Sequence, residues 1–254
     1  MLPTRADMES APTTRGMGFA RSPHCLQRCN TKAKLAIIGG LLMNKIEIRK
    51  HFLPSGYEIK AFFIDDRPLH EYINEWLADN QQLLQSMTPN DDLAICWTND
   101  YDFQGDSKFM KYILNQHDAI TPILSCPEDF DFSCIVIVAD VIRKDNKVIW
   151  RKIGMVNHSN ESFDQEKRSG ILYVDSYSKE DWSLYGDNIA LTDVDSPEWC
   201  KWIGDNWAEE LYRRRKNYTF PYYQDERNID WFSACSFEFD SAEYDALVAN
   251  CYID

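Results

Sequence analysis

The chain has 254 residues, with 27 Lys/Arg against 41 Asp/Glu, and its formal net charge is −14. A field of this sign repels nucleic-acid phosphate and anionic lipid and attracts basic surfaces. Eight Trp, thirteen Tyr and thirteen Phe supply the large apolar areas that disordered acidic tails lack. The composition therefore predicts a folded acidic protein with a basic partner, and it argues against binding to nucleic acid or to a membrane.

Residues 1–42 differ in charge from the rest of the chain. They carry six Lys/Arg and two Asp/Glu, which leaves 21 and 39 on residues 43–254, a net charge of −18 there. Gly39-Gly40 stand before Met43 at the spacing that a bacterial ribosome-binding site written GGA-GGN has before its ATG codon. We therefore expect residues 1–42 to be a translated leader or disordered extension, and residues 43–254 to form one acidic domain of bacterial origin.

Two other interpretations of residues 1–42 stay open. Their Arg, Ser, Thr and Pro content is also typical of an organelle transit peptide. A secretory signal is the other alternative, with 35–43 as a short apolar segment, although Asn44-Lys45 follow where a small-residue cleavage site should be. No later segment has the roughly 18 continuous apolar residues of a membrane span, and we expect a cytoplasmic location.

The first part of the domain has the pattern of a hairpin followed by a helix. Strands are predicted at 44–52 and 57–64, joined by a Pro-Ser-Gly turn. The helix is predicted to begin near Asp66, as N-cap, and Pro68. Its apolar positions recur at the 3.6-residue period, at Leu69, Tyr72, Ile73, Trp76, Leu77, Leu83 and Leu84.

The remainder mixes strands and helices without regular alternation. Strands are predicted at 93–97, 120–124, 134–142, 148–156, 171–174 and 235–239. Asp145-Asn146 should form a hairpin turn and 157–169 a polar loop. Helices are predicted at 107–116, from Ser196 to about 218 with Pro221 preventing continuation, and at 241–251. The class is α+β, a single domain with a mostly antiparallel sheet and several packed helices.

The helix after Ser196 places polar residues within an apolar face. Asn206 and Glu210 project into the face formed by its Trp, Ile and Leu residues, with Arg214 beside Glu210. One interpretation is a Glu210–Arg214 pair at the edge of the core. The other is a cleft in which Glu210 acts as an acid/base or contacts a basic partner. The following run, 213–216, is interpreted as a solvated basic face at the end of the helix.

Two segments combine carboxylates with aromatic rings. The segments are 99–103 and 128–132, and neither has the spacing of a calcium-binding loop. Together with Glu210 they supply the candidate partner-binding residues Asp100, Tyr101, Asp102, Glu128, Asp129, Asp131 and Glu210.

Signatures of catalysis and of metal binding are missing from the sequence. The six cysteines after Met43 have no C-x₂₋₄-C spacing, and they are interpreted as reduced thiols. The histidines form no H-x₃-H pair, and no nucleophile-elbow or phosphate-loop motif occurs. We therefore assign no catalytic residue, no metal ligand and no cofactor.

These features predict an acidic binding protein that neutralises a basic partner. An immunity-type inhibitor of a basic bacterial toxin, for example a nuclease, fits this character, with carboxylates that steer association and aromatic side chains that anchor it. The alternative is a carboxylate-dependent enzyme such as a carbohydrate hydrolase, which needs two carboxyl groups facing each other across a cleft. The sequence does not specify an oligomeric state.

Deletion of residues 1–42 is predicted to leave the domain intact, because the change of charge and the Gly-Gly spacing both separate this segment from the rest. Circular dichroism spectra and thermal melts of the full chain and of a chain that starts at Met43 should agree. A loss of several kcal/mol on truncation would show that the segment packs against the domain.

Overall fold

The computed structural model describes most of one compact unit, Gly39–Asp254. The described residues are 43–52, 56, 58–79, 93–99, 101, 104–127, 132, 134–169 and 197–251, with the backbone alone at 164, 166, 167, 197–200, 202–204, 207 and 233. Residues 1–42, the helical positions Leu83 and Leu84 and the predicted strand 171–174 lie outside them.

Eight strands within the described residues form two antiparallel sheets. The first sheet has the order β1-β2-β3, with the bounds Ile46–Phe52, Glu58–Ile64 and Arg67–Pro68. The second has the order β4-β5-β6-β7-β8, with the bounds Ala94–Ile95, Ala119–Ser125, Val136–Lys144, Lys147–Val156 and Ile229–Asp240. Each predicted strand within the described residues is present, and every pairing is antiparallel. However, β8 begins six residues before the predicted 235–239, β4 is shorter than the predicted 93–97, and β3 was not predicted.

Helices alternate irregularly with these strands. Their bounds are α1 Leu69–Ala78, α2 Gln104–Leu114, α3 Phe163–Ser169, α4 Pro197–Arg214, α5 Phe220–Tyr223 and α6 Ser241–Asn250. A π-helical turn, Arg215–Thr219, joins α4 to α5, and short 3₁₀ helices span His158–Asn160 and Glu226–Asn228. The protein is a single α+β domain, as the sequence predicts, and no helix among its described residues is long and apolar enough to cross a membrane.

Turn chemistry explains one correct prediction and one error. Asp145 and Asn146 both have positive φ, 52° and 61°, as the predicted two-residue hairpin turn requires. Asp66 also has positive φ, 66°, after Asp65 at 50°, because the two residues turn β2 into β3. Asp66 is therefore not the N-cap of α1, which begins two residues later than expected and follows Pro68 without a side-chain cap.

Aromatic side chains join the two sheets and the last helix in one core. Trp150 of β7 is fully buried and donates its indole N–H to the Tyr244 hydroxyl of α6 at 3.2 Å. The ring of Phe62 in β2 meets that of Trp97 edge to face, with centroids 4.8 Å apart. Such contacts add to the large apolar area that each ring buries. The core therefore fixes the β6–β7 hairpin and the start of the segment that follows β7.

Candidate functional site

The candidate residues predicted from the sequence are not brought together among the described residues. Asp100, Asp102, Glu128, Asp129 and Asp131 lie outside them. Tyr101 lies in the core, donates its hydroxyl to the Cys96 carbonyl at 2.8 Å and stacks on Phe132. Glu210 is fully buried on α4.

Glu210 forms its ion pair with a different arginine from the predicted one. Arg213 donates from Nε and Nη2 to the two carboxylate oxygens of Glu210, each at 2.9 Å, so the pair is i,i+3 and bidentate. Arg214, the predicted partner, is fully buried, with its guanidinium carbon 5.5 Å from the Tyr218 ring centroid. The predicted partner of Glu210 is therefore wrong. Of the two interpretations drawn from the sequence, an ion pair within the helix describes Glu210 better than a cleft does.

The basic run after Glu210 is not the solvated face that the sequence suggested. Arg214 is fully buried and Arg215 is 7% exposed, whereas Lys216 is exposed. Arg215 donates from Nε to Asp106 of α2 at 2.8 Å, and Asp106 is fully buried. This second ion pair explains why a guanidinium occurs in the interior: a buried charge requires a partner of opposite charge.

A glycine lets the two helices approach closely enough for that pair to form. A Cβ atom built on Gly105 would lie 2.7 Å from Leu211 Cβ and 2.8 Å from the Ala208 carbonyl oxygen. Only a residue without a side chain fits between α2 and α4 at this point. Asp106 follows immediately and therefore reaches the end of α4.

Arg215 begins the π-helical turn that carries the chain past Pro221. The Phe220 N–H bonds to the Arg215 carbonyl five residues back, which is the π pattern. Proline lacks an N–H, and its ring clashes with the carbonyl four residues earlier in an α-helix. The wider π turn lies just before Pro221 and avoids this clash, so the chain continues as α5 to Tyr223. The predicted stop at Pro221 is therefore wrong. Such π turns are frequent at functional sites.

The segment after β7 faces this turn and is held by hydrogen bonds. It was predicted as a polar loop, yet it forms a 3₁₀ helix and then α3. Asn157 caps the 3₁₀ helix by accepting from the Ser159 N–H at 3.0 Å. The Tyr222 hydroxyl donates to the Asn157 carbonyl at 2.6 Å, and Gln165 Nε2 donates to the Tyr218 carbonyl at 2.6 Å. The segment is therefore fixed to the π turn and to α5.

A partly open cavity of about 270 Å³ lies between these elements, and we call it the His158 cavity. Its polar lining residues are His158, Glu161, Ser169, Arg215 and Thr219. Its aromatic lining residues are Phe132, Tyr222 and Tyr223. A concave site with aromatic walls and a few converging polar groups has the composition of a small-ligand pocket.

Two polar atoms of the His158 cavity are buried without a hydrogen-bond partner in the described structure. They are His158 Nε2 and Thr219 Oγ1, and Thr219 is only 5% exposed. Buried polar atoms are nearly always hydrogen-bonded in native proteins. This pair of atoms therefore marks a place where a ligand or a partner group would gain hydrogen bonds.

The carboxylate of Glu161 orients the His158 ring. His158 Nδ1 lies 3.2 Å from Glu161 Oε2, and a carboxylate oxygen accepts, so Nδ1 carries the proton. In the neutral ring Nε2 is then an acceptor. The lining of the cavity thus includes an imidazole held by a carboxylate, from His158 and Glu161, and the hydroxyl-bearing residue Thr219.

Burial and nearby carboxylates raise the pKa of one phenol in the lining of the cavity. Burial raises the pKa of Tyr222 to about 12, and the charges of Glu161, Asp225 and Asp230 contribute to the shift in the same direction. The phenol therefore stays protonated near neutral pH and keeps its hydrogen bond to Asn157.

Two wider depressions differ from the His158 cavity in their chemistry. One, of about 600 Å³, lies between the end of α2 and α6, and the other, of about 760 Å³, lies between β1, β2, β4 and α6. Neither has a buried polar atom without a partner among its described lining residues. The His158 cavity is therefore the stronger candidate for a site.

Clusters of at least three His, Cys, Asp or Glu that could hold a metal ion do not occur in the described part of the chain. Its cysteines Cys96, Cys126, Cys134, Cys235 and Cys251 form no disulfide. Burial raises the pKa of the Cys96 thiol to about 12, which keeps this thiol protonated.

Comparisons with family models, with curated proteins and with solved structures found no match to this chain.

Sequence reasoning missed His158, Glu161 and Thr219 because nothing in their spacing brings them together. One local signal was available. Pro221 interrupts a helical pattern, and a proline within a continuing helix requires an irregular turn before it. A π turn at this point would have directed attention to Arg215 and Thr219, its first and last residues.

Replacing Asp106 by Asn is predicted to destabilise the protein by about 3–5 kcal/mol, because it leaves the Arg215 charge buried without its carboxylate. Urea unfolding of the variant measures the loss. The matched control is Asp205→Asn, which breaks the exposed Lys201–Asp205 pair and should cost less than about 1 kcal/mol. Equal stability of the two variants would contradict this account of the buried pair.

Proposed function

We propose that the chain is an acidic binding protein that neutralises a basic protein partner, as an immunity-type inhibitor does with a basic bacterial toxin such as a nuclease. The inhibitor would act in the bacterial cytoplasm, where a nuclease finds its substrate. It would cover the surface that binds phosphate in the toxin, and its own charge would repel the nucleic acid.

The observation that carries this proposal is the engagement of the protein's own cations. Carboxylates of the described structure form ion pairs with Lys45, Arg49, Lys50, Arg67, Lys108, Arg143, Lys147, Arg151, Lys152, Lys201, Arg213, Arg215 and Arg227. Residues 43–254 contain 39 carboxylates for 21 Lys/Arg, so many carboxylates have no cation of the protein to balance them. This excess is available to a basic partner.

The excess is concentrated in three segments that also contain aromatic residues. Segment 128–132 has three carboxylates and no cation, and segment 170–196 has six carboxylates and one lysine. Segment 99–103 adds Asp100 and Asp102. Tyr and Trp beside carboxylates are suited to an interface, because the rings supply buried anchors and the charges steer the encounter.

The alternative, a carboxylate-dependent enzyme such as a carbohydrate hydrolase, has less support. It relied on Glu210 as an acid facing a cleft. Both carboxylate oxygens of Glu210 accept hydrogen bonds from Arg213, and the side chain is fully buried. This geometry suits an internal ion pair better than proton transfer to a substrate.

Association with a basic toxin is predicted to depend on salt and on several carboxylates. The proposal predicts that a gene for a basic toxin domain adjoins the gene for this chain. That domain is the probe, and stopped-flow fluorescence measures association. Raising the salt from low concentration to about 0.5 M should slow association markedly, because it screens the attraction between the two surfaces. Neutralising Asp100, Asp102, Glu128 or Asp129 singly should weaken binding in graded steps.

The matched control is Asp145→Asn, which removes one charge from the β6–β7 turn, where asparagine is equally suited to the positive φ. This variant should bind as the parent does. Association that is independent of salt, or a failure of the chain to protect cells that express the toxin domain, would contradict the proposal. So would a measurable hydrolysis that Glu210→Gln abolishes without loss of stability.

A further inference from the structure

The depression of about 760 Å³ between β1, β2, β4 and α6 has largely apolar walls, and we call it the β1–β2 groove. Ile48, Ile95, Trp97 and Leu247 belong to its lining. The indole N–H of Trp97 is satisfied within the protein, since it donates to the Pro122 carbonyl at 2.9 Å. Such walls offer a ligand the burial of apolar surface rather than hydrogen bonds. The groove therefore suits an apolar chain better than a polar molecule.

The charges in the lining of the β1–β2 groove are opposite in sign to the charge of the whole protein. The chain has a formal net charge of −14. The described lining of the groove contains Arg49, Lys50 and Lys60 and no carboxylate. Arg49 forms ion pairs with Glu47 and Asp66, which lie outside this lining. The two lysines are therefore the cations that a ligand in the groove would meet.

The register of the strands places the two lysines side by side. Lys50 and Lys60 are directly opposite each other in the β1–β2 pair, and so are Ile48 and Phe62. Side chains that are directly opposite, or two residues apart on one strand, lie on the same face of a sheet. The Phe62 ring contacts that of Trp97, with centroids 4.8 Å apart. Both lysine side chains therefore leave the sheet on the face that forms the groove, where they are exposed.

This arrangement of the lysines favours an anion. Like charges directly opposite each other in a sheet are destabilising, and an anion close to both would reduce their repulsion. Lys50 Nζ lies 2.6 Å from Glu58 Oε1, with side chains 72% and 40% exposed. An ion pair exposed to this extent contributes at most about 1 kcal/mol, so a ligand carboxylate can replace Glu58 at small cost.

We propose that the β1–β2 groove binds a medium-chain fatty acid. The alkyl chain packs against Ile48, Trp97 and Leu247, and the carboxylate lies between the ammonium groups of Lys50 and Lys60. An alkyl amine would be repelled by the lysines, and a short carboxylate would bury no apolar surface. This binding activity is additional to the neutralisation of a basic partner and does not depend on it.

The probe is decanoate, and isothermal titration calorimetry of the full chain measures its affinity. The parent should bind decanoate saturably, whereas decylammonium and acetate should give no saturable binding. Replacing both lysines, as Lys50→Gln with Lys60→Gln, should weaken decanoate binding about tenfold, because it removes the two charges that hold the carboxylate. The matched control is Lys45→Gln, which removes an exposed lysine just before β1 and should bind as the parent does.

A second pair of variants tests the apolar wall. Leu247→Ala should weaken decanoate binding severalfold, because the alkyl chain loses part of the surface against which it packs. Val248→Ala is the matched control, since Val248 follows in α6 but lines the depression beside α2. Circular dichroism establishes that each variant is folded. If Leu247→Ala does not fold, the double lysine variant decides the matter, because its altered side chains are exposed.

The absence of saturable decanoate binding to the folded parent would overturn the proposal. Equal affinity of the parent and the double lysine variant would also overturn it, because nonspecific apolar binding does not require the lysines. Sedimentation velocity without ligand tests a second copy of the chain as the occupant. Self-association that Leu247→Ala abolishes would assign the groove to that copy and would overturn the fatty-acid site. These measurements require no toxin, so they are independent of the inhibitor proposal.

Discussion

The ion pair between Asp106 and Arg215 holds α2 against the π turn, to which the segment after β7 is bonded through Gln165. Both residues are buried, and they lie 109 residues apart in the chain. Removing either partner would leave a buried charge, so the pair holds α2 and the start of the π turn in one arrangement. The close approach of α2 and α4 at Gly105 makes this arrangement possible. The pair also cancels the positive charge of Arg215 at the cavity wall, so the remaining carboxylate, Glu161, determines the character of the cavity.

Ion pairs with carboxylates engage cations both on the surface and in the interior. Cations on the surface are engaged by neighbouring carboxylates, and the arginines near the end of α4 are engaged by Glu210 and Asp106. Many cations in the described part of the chain are therefore engaged, while the full sequence retains a large excess of negative charge. A basic partner would meet a surface whose charge attracts it over a distance.

Local rules were sufficient for much of the fold. The β-hairpins and the helical period of α1 depend on residues near each other in the chain, so the strands, the Asp145-Asn146 turn and the α+β class were predicted correctly. Errors arose where a distant partner decides the outcome. Arg215 belongs to a basic run that suggests a solvated face, yet Asp106 draws it into the interior. The His158 cavity combines residues from two distant segments, and no short motif indicates that they meet.

The acceptor role of His158 is the central claim about the cavity, and the ring tautomer tests it most directly. Nitrogen-15 NMR of the His158 ring, in the neutral form, reports which nitrogen carries the proton. The contact between Nδ1 and Glu161 predicts a protonated Nδ1 and a bare Nε2. In Glu161→Gln, whose amide oxygen accepts more weakly than a carboxylate, the proton should shift partly toward Nε2. A parent ring that carries its proton on Nε2 would contradict the account, because Nδ1 would then have no proton to donate to Glu161.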